Sequence, residues 1–167
     1  IAKNAKTGFV LQCGLAPGYI DVLGNGLFQQ FCKDFGVSQV DKLQLRVGAL
    51  TKNAVAPHFY GFTWSTAGVA TEYLKETWAI RDFKKISLPS LTETETIIID
   101  DLIYEESLTS GGAADLPDAL LDKVCNLDYK TLRHPGHYAW VKQQIEDLKD
   151  SENPIEALQQ RMEALIP

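Results

Sequence analysis

Apolar positions Ile20, Leu23, Leu27, Phe31 and Phe35 recur three and four residues apart, and Gly36 follows as a stop. This spacing predicts an amphipathic helix that begins just after a glycine turn at 14–18. Before that turn, GFVLQC at 8–13 is a short apolar run and reads as a buried strand. Strand, glycine turn and helix form half of a parallel α/β unit, the corner at which a cofactor is met at the carboxyl end of a strand. From 41 to 50, Leu43, Leu45, Val47 and Ala49 alternate with Lys42, Gln44 and Arg46, which predicts a half-buried strand. Beyond a loop with Pro57, Ser65 or Thr66 can cap a short helix that runs to about Leu74. Residues 86–88 read as a short strand closed by Pro89. TETIIID and LIYEES flank Asp100-Asp101, two residues that tolerate the positive φ of a tight hairpin.

Further on, Asp115 can cap a helix over LPDALLDKVC, and 127–133 reads as another strand. Pro135-Gly136 breaks that strand before the helical run HYAWVKQQIEDL. Asn153-Pro154 opens a last helix through Leu165, with proline where its missing donor costs nothing. The sum is an α+β protein without internal repeats or low-complexity segments.

The chain has 167 residues, 45% of them hydrophobic and 23% charged, so it can bury roughly two thirds of its unfolded surface without a disulfide or metal staple. Its net charge of −6 is uneven: residues 1–90 hold 10 basic and 6 acidic groups, and residues 91–167 hold 6 and 16. An acidic balance of this kind argues against nucleic acid as a partner. No apolar run is long enough for a membrane span or a secretory signal core. Cys13, Cys32 and Cys125 lack CxxC spacing, sit in apolar contexts and read as reduced, buried thiols, which points to a cytoplasmic protein. The sequence opens on Ile1 and its one methionine is Met162, so we expect it to be part of a longer protein.

Several residue groups could carry chemistry. Gly24-Asn25-Gly26 lies inside the first helix and has Gln29 where a dinucleotide fingerprint needs its third glycine, so packing is its simpler role. Ser110-Gly111-Gly112 can present backbone donors to an anion or form a plain surface turn. Arg133-His134-Pro135-Gly136-His137 is the densest group: the guanidinium can grip a carboxylate in bidentate fashion, and imidazole can trade protons near neutral pH. It offers only two imidazoles to a metal, and no metal site is expected. Ser65, His137 and Asp21 could be assembled as a triad, but no GxSxG elbow accompanies them. Of Glu105-Glu106, strand alternation turns one inward, as a general acid or base or as part of a solvated edge. Tyr60 and Trp64 fit a core as well as a ligand platform.

CGLAPG with Asp21 three residues on, PHFYGFTWS at 57–65, ESLTSGG at 106–112 and KTLRHPGH at 130–137 together resemble the saccharopine dehydrogenase family, over about 9–137. The resemblance implies a two-domain NAD(P)-dependent oxidoreductase, of which this chain is the C-terminal substrate-binding and dimerisation part, without the N-terminal Rossmann domain and its nucleotide loop. The implied sheet is mixed and largely antiparallel with helices on one face, as in the C-terminal domain of glyceraldehyde-3-phosphate dehydrogenase. Residues 1–36 would be the end of the Rossmann domain and a connecting helix, with 8–13 its last strand. Residues 37–150 would form the substrate domain, and 151–167 a helix running back toward the Rossmann domain.

By position, the resemblance implies that Arg133 anchors the carboxylate of an amino-acid or polyamine-like substrate. Tyr60, Thr63, Trp64, Ser65, Thr109, Ser110 and Gly111 would line the same pocket. Gly14, Leu15, Ala16, Pro17 and Gly18 would meet the nicotinamide of NAD or NADP, and His137 and Asp21 would serve catalysis. The implied reaction is hydride transfer at a C–N centre, the implied assembly a homodimer, and the alternative a non-catalytic binding or assembly protein of the same architecture. GLAPG carries Ala16 where saccharopine reductases resemble GLDPG, which moves the match toward relatives of lysine 6-dehydrogenase. Thr66-Ala67-Gly68 also departs from the Pro-Glu that often follows TWS in the family.

Overall fold

The computed structural model describes residues 6–8, 10–62 and 64–166. Helix α1 (Tyr19–Phe35) is closed by Gly36 in the left-handed conformation at φ 64°. Strand β1 (Val40–Val47) follows, then α2 (Thr66–Leu74), whose N-cap Ser65 accepts from the Gly68 N–H. Strands β2 (Thr77–Arg81) and β3 (Lys84–Leu88) form one hairpin; β4 (Glu95–Ile99) and β5 (Leu102–Leu108) form a second. A single helical turn, α3 (Leu116–Ala119), precedes the long strand β6 (Val124–Arg133). Helices α4 (His137–Asp147) and α5 (Pro154–Glu163) complete the order, the latter capped by Asn153.

β6 organises the sheet. Leu127 pairs with Leu43 of β1 and with Ile80 of β2, and Thr131 with Val47 of β1 and with Ser107 of β5. β1 therefore runs parallel along one edge of β6, while β2 and β5 share the other edge as antiparallel neighbours. The sheet is mixed and mostly antiparallel, and its α+β class is the one expected.

Alternation along β6 separates two faces. Leu127, Tyr129, Thr131 and Arg133 point toward the helices. Phe28 of α1, Leu45, Ile80, Leu116 and Leu120 join Leu127 and Tyr129 in one apolar cluster. Tyr60, Val69, Tyr73, Tyr138, Val141, Leu158 and Met162 knit α2, α4 and α5 into a second. On the opposite face Asp128 and Lys130 are buried in an ionic lattice. Arg46 binds Glu106 at 2.6 Å and Asp128 at 2.7 Å, Arg81 binds Asp128 and Glu93, and Lys130 binds Glu95 and Glu106.

Five expectations are revised. Cys13 is exposed and Cys32 and Cys125 are half-buried, so none of the three is a buried thiol. Residues 10–13 form no strand, and Val10 and Leu11 are 84% and 82% exposed, because no neighbouring strand lies beside them among the described residues; Phe9 lies outside those residues. Helix α1 forms, yet its face against β1 is that of Ile20, Gly24, Phe28 and Cys32, where a Cβ on Gly24 would come 2.7 Å from Leu45 Cδ2. Leu23, Leu27, Phe31 and Phe35 remain exposed. The helix after Asp115, whose side chain makes no cap bond, stops at Ala119, since Val124 and Cys125 are drawn into β6. β2 was not foreseen: its short run TWAIR turns into β3 through Asp82 and Phe83, both at positive φ, and Phe is a rare residue there.

Leu127 is fully buried and Leu27 is 59% exposed. Leu127→Ala is expected to lower unfolding free energy by about 2–5 kcal/mol, and Leu27→Ala to change it by no more than about 0.5 kcal/mol; urea titration of the two variants checks the contrast.

Candidate functional site

A cleft of about 900 Å³ opens between the 14–18 turn, one face of α2 along its length, the 110–112 loop and the end of β6. The turn is locked by its own backbone. Gly14 N–H donates to Pro17 C=O at 3.0 Å and Tyr19 N–H to Gly14 C=O at 2.9 Å. Gly18 stands at φ 136°, and a Cβ there would lie 2.5 Å from the carbonyl oxygens of Gln12 and Gly14, so no other residue fits. Asp21 secures the turn from the helix, accepting from Gly18 N–H at 2.7 Å. Its carboxyl is raised above the usual range, chiefly by burial.

Arg133 closes the cleft at the C-terminal end of β6. It is 2% exposed and lies over the Tyr60 ring, 4.5 Å from its centroid. Its Nε donates to Tyr73 Oη at 2.8 Å and its Nη1 to the Leu132 carbonyl at 3.0 Å, while Nη2 stands 3.9 Å from Glu72 Oε1. Burial opposes the charge, but Tyr73 and Glu72 hold the guanidinium above its ordinary pKa.

Two relays fix this pair. Tyr73 Oη accepts from Arg133, so its proton goes to His137 Nε2 at 2.9 Å; Nδ1–H of that imidazole donates to the His58 carbonyl at 2.6 Å. His137 is thereby neutral and of one tautomer, and burial pushes its pKa down to about 3. On the other side Thr131 Oγ1 donates to Glu72 Oε1 at 2.6 Å, leaving Thr109 to donate to Thr131 at 2.6 Å.

Of the residues singled out from the sequence, Gly14, Leu15, Ala16, Pro17, Tyr60, Trp64, Ser110, Gly111 and Arg133 line this one cleft. Trp64 Nε1 donates to Tyr60 Oη at 2.9 Å. Gly18 and Asp21 stand behind the turn, Ser65 caps α2, and Thr109 and His137 lie fully buried behind Glu72 and Arg133. Thr63 is outside the described residues. Ser110 N–H is taken by the Glu72 carbonyl at 2.9 Å, so the 110–112 loop is tied to α2. Glu105 accepts from Gly136 N–H at 3.1 Å, and Glu106 belongs to the ionic lattice.

Glu72, Lys75, Tyr129 and Thr131 also line the cleft, and the sequence reading passed over them. For Glu72 and Lys75 a partial signal was present: Ala67, Gly68, Thr71, Glu72 and Lys75 recur at helical spacing as a small and polar stripe on α2, opposite apolar Val69, Ala70 and Tyr73. Among the described residues no group of three or more His, Cys, Asp or Glu could hold a metal ion. No helix described is long and apolar enough to cross a membrane.

A family-model scan gives no match for this chain. Its fold, however, is similar to that of apo, histidine-tagged saccharopine dehydrogenase (L-Glu forming) from Saccharomyces cerevisiae, with a TM-score of 0.62. The likeness is one of fold. Identity is 16%, and the match covers 82% of this chain and 32% of the yeast chain, so this chain spans about a third of that dehydrogenase.

An unfolded histidine titrates near 6.5, whereas His137 in the folded protein takes up a proton only near 3. Between those values the unfolded chain binds the proton more readily, so stability falls as pH drops from about 6.5 to about 3, by at most roughly 1.4 kcal/mol per pH unit. Above 6.5 the group contributes nothing. Denaturant titrations at pH 7, 5.5 and 4 should show this loss, with a shallower slope in His137→Gln.

Proposed function

We propose that this cleft binds the α-amino-acid end of a small substrate, and that the chain is the substrate-binding part of an NAD(P)-dependent oxidoreductase working at a C–N centre. The observation that carries the reading is Arg133: a fully buried guanidinium, held by tyrosine and a carbonyl, whose remaining nitrogen meets a carboxylate inside a cleft. A substrate carboxylate would bind this guanidinium, and Glu72, 3.9 Å away, would receive the ammonium group of the same substrate. Ion pairs of this kind gain strength away from water. The likeness in fold to part of a saccharopine dehydrogenase supports the reaction class.

Leu15, Ala16 and Pro17 give an apolar wall to the cleft that Arg133 and Glu72 also line, which suits the flat ring of a nicotinamide. Among the described residues no glycine-rich phosphate loop accompanies it, so these residues fit the nicotinamide end of the dinucleotide alone. The cofactor supplies the hydride. This chain's share is orientation: Arg133 and Glu72 fix the substrate's two charges, and Tyr60 and Trp64 cover it from water. His137 acts from behind, setting the Tyr73 hydroxyl that holds Arg133. We assign the exposed apolar face of α1, with Leu23, Leu27 and Phe31, to contact with the nucleotide-binding domain.

Arg133→Lys keeps the charge and loses the planar fork. In the full-length protein this variant should raise KM for a carboxylate substrate by about tenfold or more with a smaller effect on kcat, as steady-state kinetics would show; an unchanged KM removes Arg133 from the substrate site.

A further inference from the structure

β4 is an outer strand of the sheet. Ile99 and Leu102 flank the two-residue turn at Asp100 and Asp101, both at positive φ, so they form the pair that exchanges both backbone bonds. By alternation Ile97 and Glu95 do the same with Tyr104 and Glu106. The N–H and C=O groups of Thr96 and Ile98 therefore point away from β5, and they have no hydrogen-bond partner among the described residues. Edge strands are commonly blunted by lysine, proline or a bulge. β4 reads ETIII and has none of these, while Ile98 and its pair Ile103 are 68% and 57% exposed.

We propose that β4 pairs antiparallel with β4 of a second copy of this chain, about a two-fold axis at Ile97. In this register Ile97 faces its own copy as a non-hydrogen-bonded pair. On either side Thr96 pairs with the partner's Ile98, and the outward groups of the two strands exchange four hydrogen bonds. Ile98 is set diagonally across from the partner's Ile98, within side-chain reach, and the apolar surface at Ile98 and Ile103 is covered.

Charge favours this register over one centred on Glu95. Centring the pair on Glu95 would set two carboxylates face to face, which is unfavourable. Centring it on Ile97 brings the partner's Asp100 opposite Thr94. Lys142 of α4 already donates to Thr94 Oγ1 at 3.2 Å, so an ammonium group stands where that carboxylate arrives, and symmetry repeats the contact at the other end. The helices of both copies lie on the same side of the joined sheet, with the two α4 helices at opposite ends of the paired strands.

The test uses the full-length protein in light scattering and in disulfide trapping, with exposed Cys13 replaced by Ser. Ile98→Pro deletes only an outward N–H and leaves the β4–β5 bonds intact; Ile98→Lys serves as a second variant should the first fail to fold. We expect a dimer for the parent and a folded monomer for the variant. Mild oxidation of Ile97→Cys should link two chains, because non-hydrogen-bonded pairs bring Cα atoms to about 4.5 Å, within disulfide reach. Ile103→Cys, one strand further in, should stay unlinked. A monomeric parent, a dimer that survives both Ile98 substitutions, or equal trapping at 97 and 103 overturns the proposal.

Discussion

A guanidinium withdrawn from water must be surrounded by acceptors and aromatic faces, and much of this structure can be traced to the place where Arg133 stands. Removing an ion from water costs several kcal/mol unless partners replace its hydration. Tyr73, the Leu132 carbonyl, the Tyr60 ring and Glu72 do so. Each comes from an element whose position is thereby constrained: α2 must lie across the end of β6 to bring Glu72 and Tyr73 into reach. α4 must begin at His137 to hold Tyr73, and the 57–62 segment must fold over the top to place Tyr60 and the His58 carbonyl.

The same strand carries charge on both of its faces and treats it differently. Toward the helices, Arg133 keeps a nitrogen that the protein does not fully satisfy. Away from them, Asp128 and Lys130 are matched by Arg46, Arg81, Glu95 and Glu106. A buried lattice of that sort is weak evidence for stability, since well-packed apolar residues can do as well. Its geometric effect is clearer. Some of its pairs join neighbouring strands, while Arg46–Glu106 and Lys130–Glu95 each reach across an intervening one, so β1, β2, β5 and β4 are all tied to β6 beneath the cleft.

Much of this architecture was legible in the sequence where local chemistry decides the outcome. Gly36, Ser65, Asn153 and the Asp100-Asp101 turn acted as written, because a cap or tight turn depends on the few residues that form it. The apolar stripe of α1 was legible as a helix and misleading as a core. Periodicity counts Leu23, Leu27 and Phe31, but close approach to β1 was decided by the missing side chain of Gly24, which lets Phe28 and Cys32 pack instead. Residues 10–13 have strand composition without a strand beside them. At the site, Arg133 stood out by its setting, whereas Glu72 and Thr131 gained meaning only when α2 was laid against β6, a contact between residues about sixty positions apart.

The link from Arg133 through Tyr73 to His137 has one more consequence. Burial moves the tyrosine upward and the histidine downward from their ordinary titration ranges. Neither group changes charge across the span of acidity found in most cells. Arg133 is therefore supported by hydrogen bonds that stay the same while the surroundings acidify or turn alkaline. Any ligand that met Arg133 would find its charge and its supports unchanged over that span.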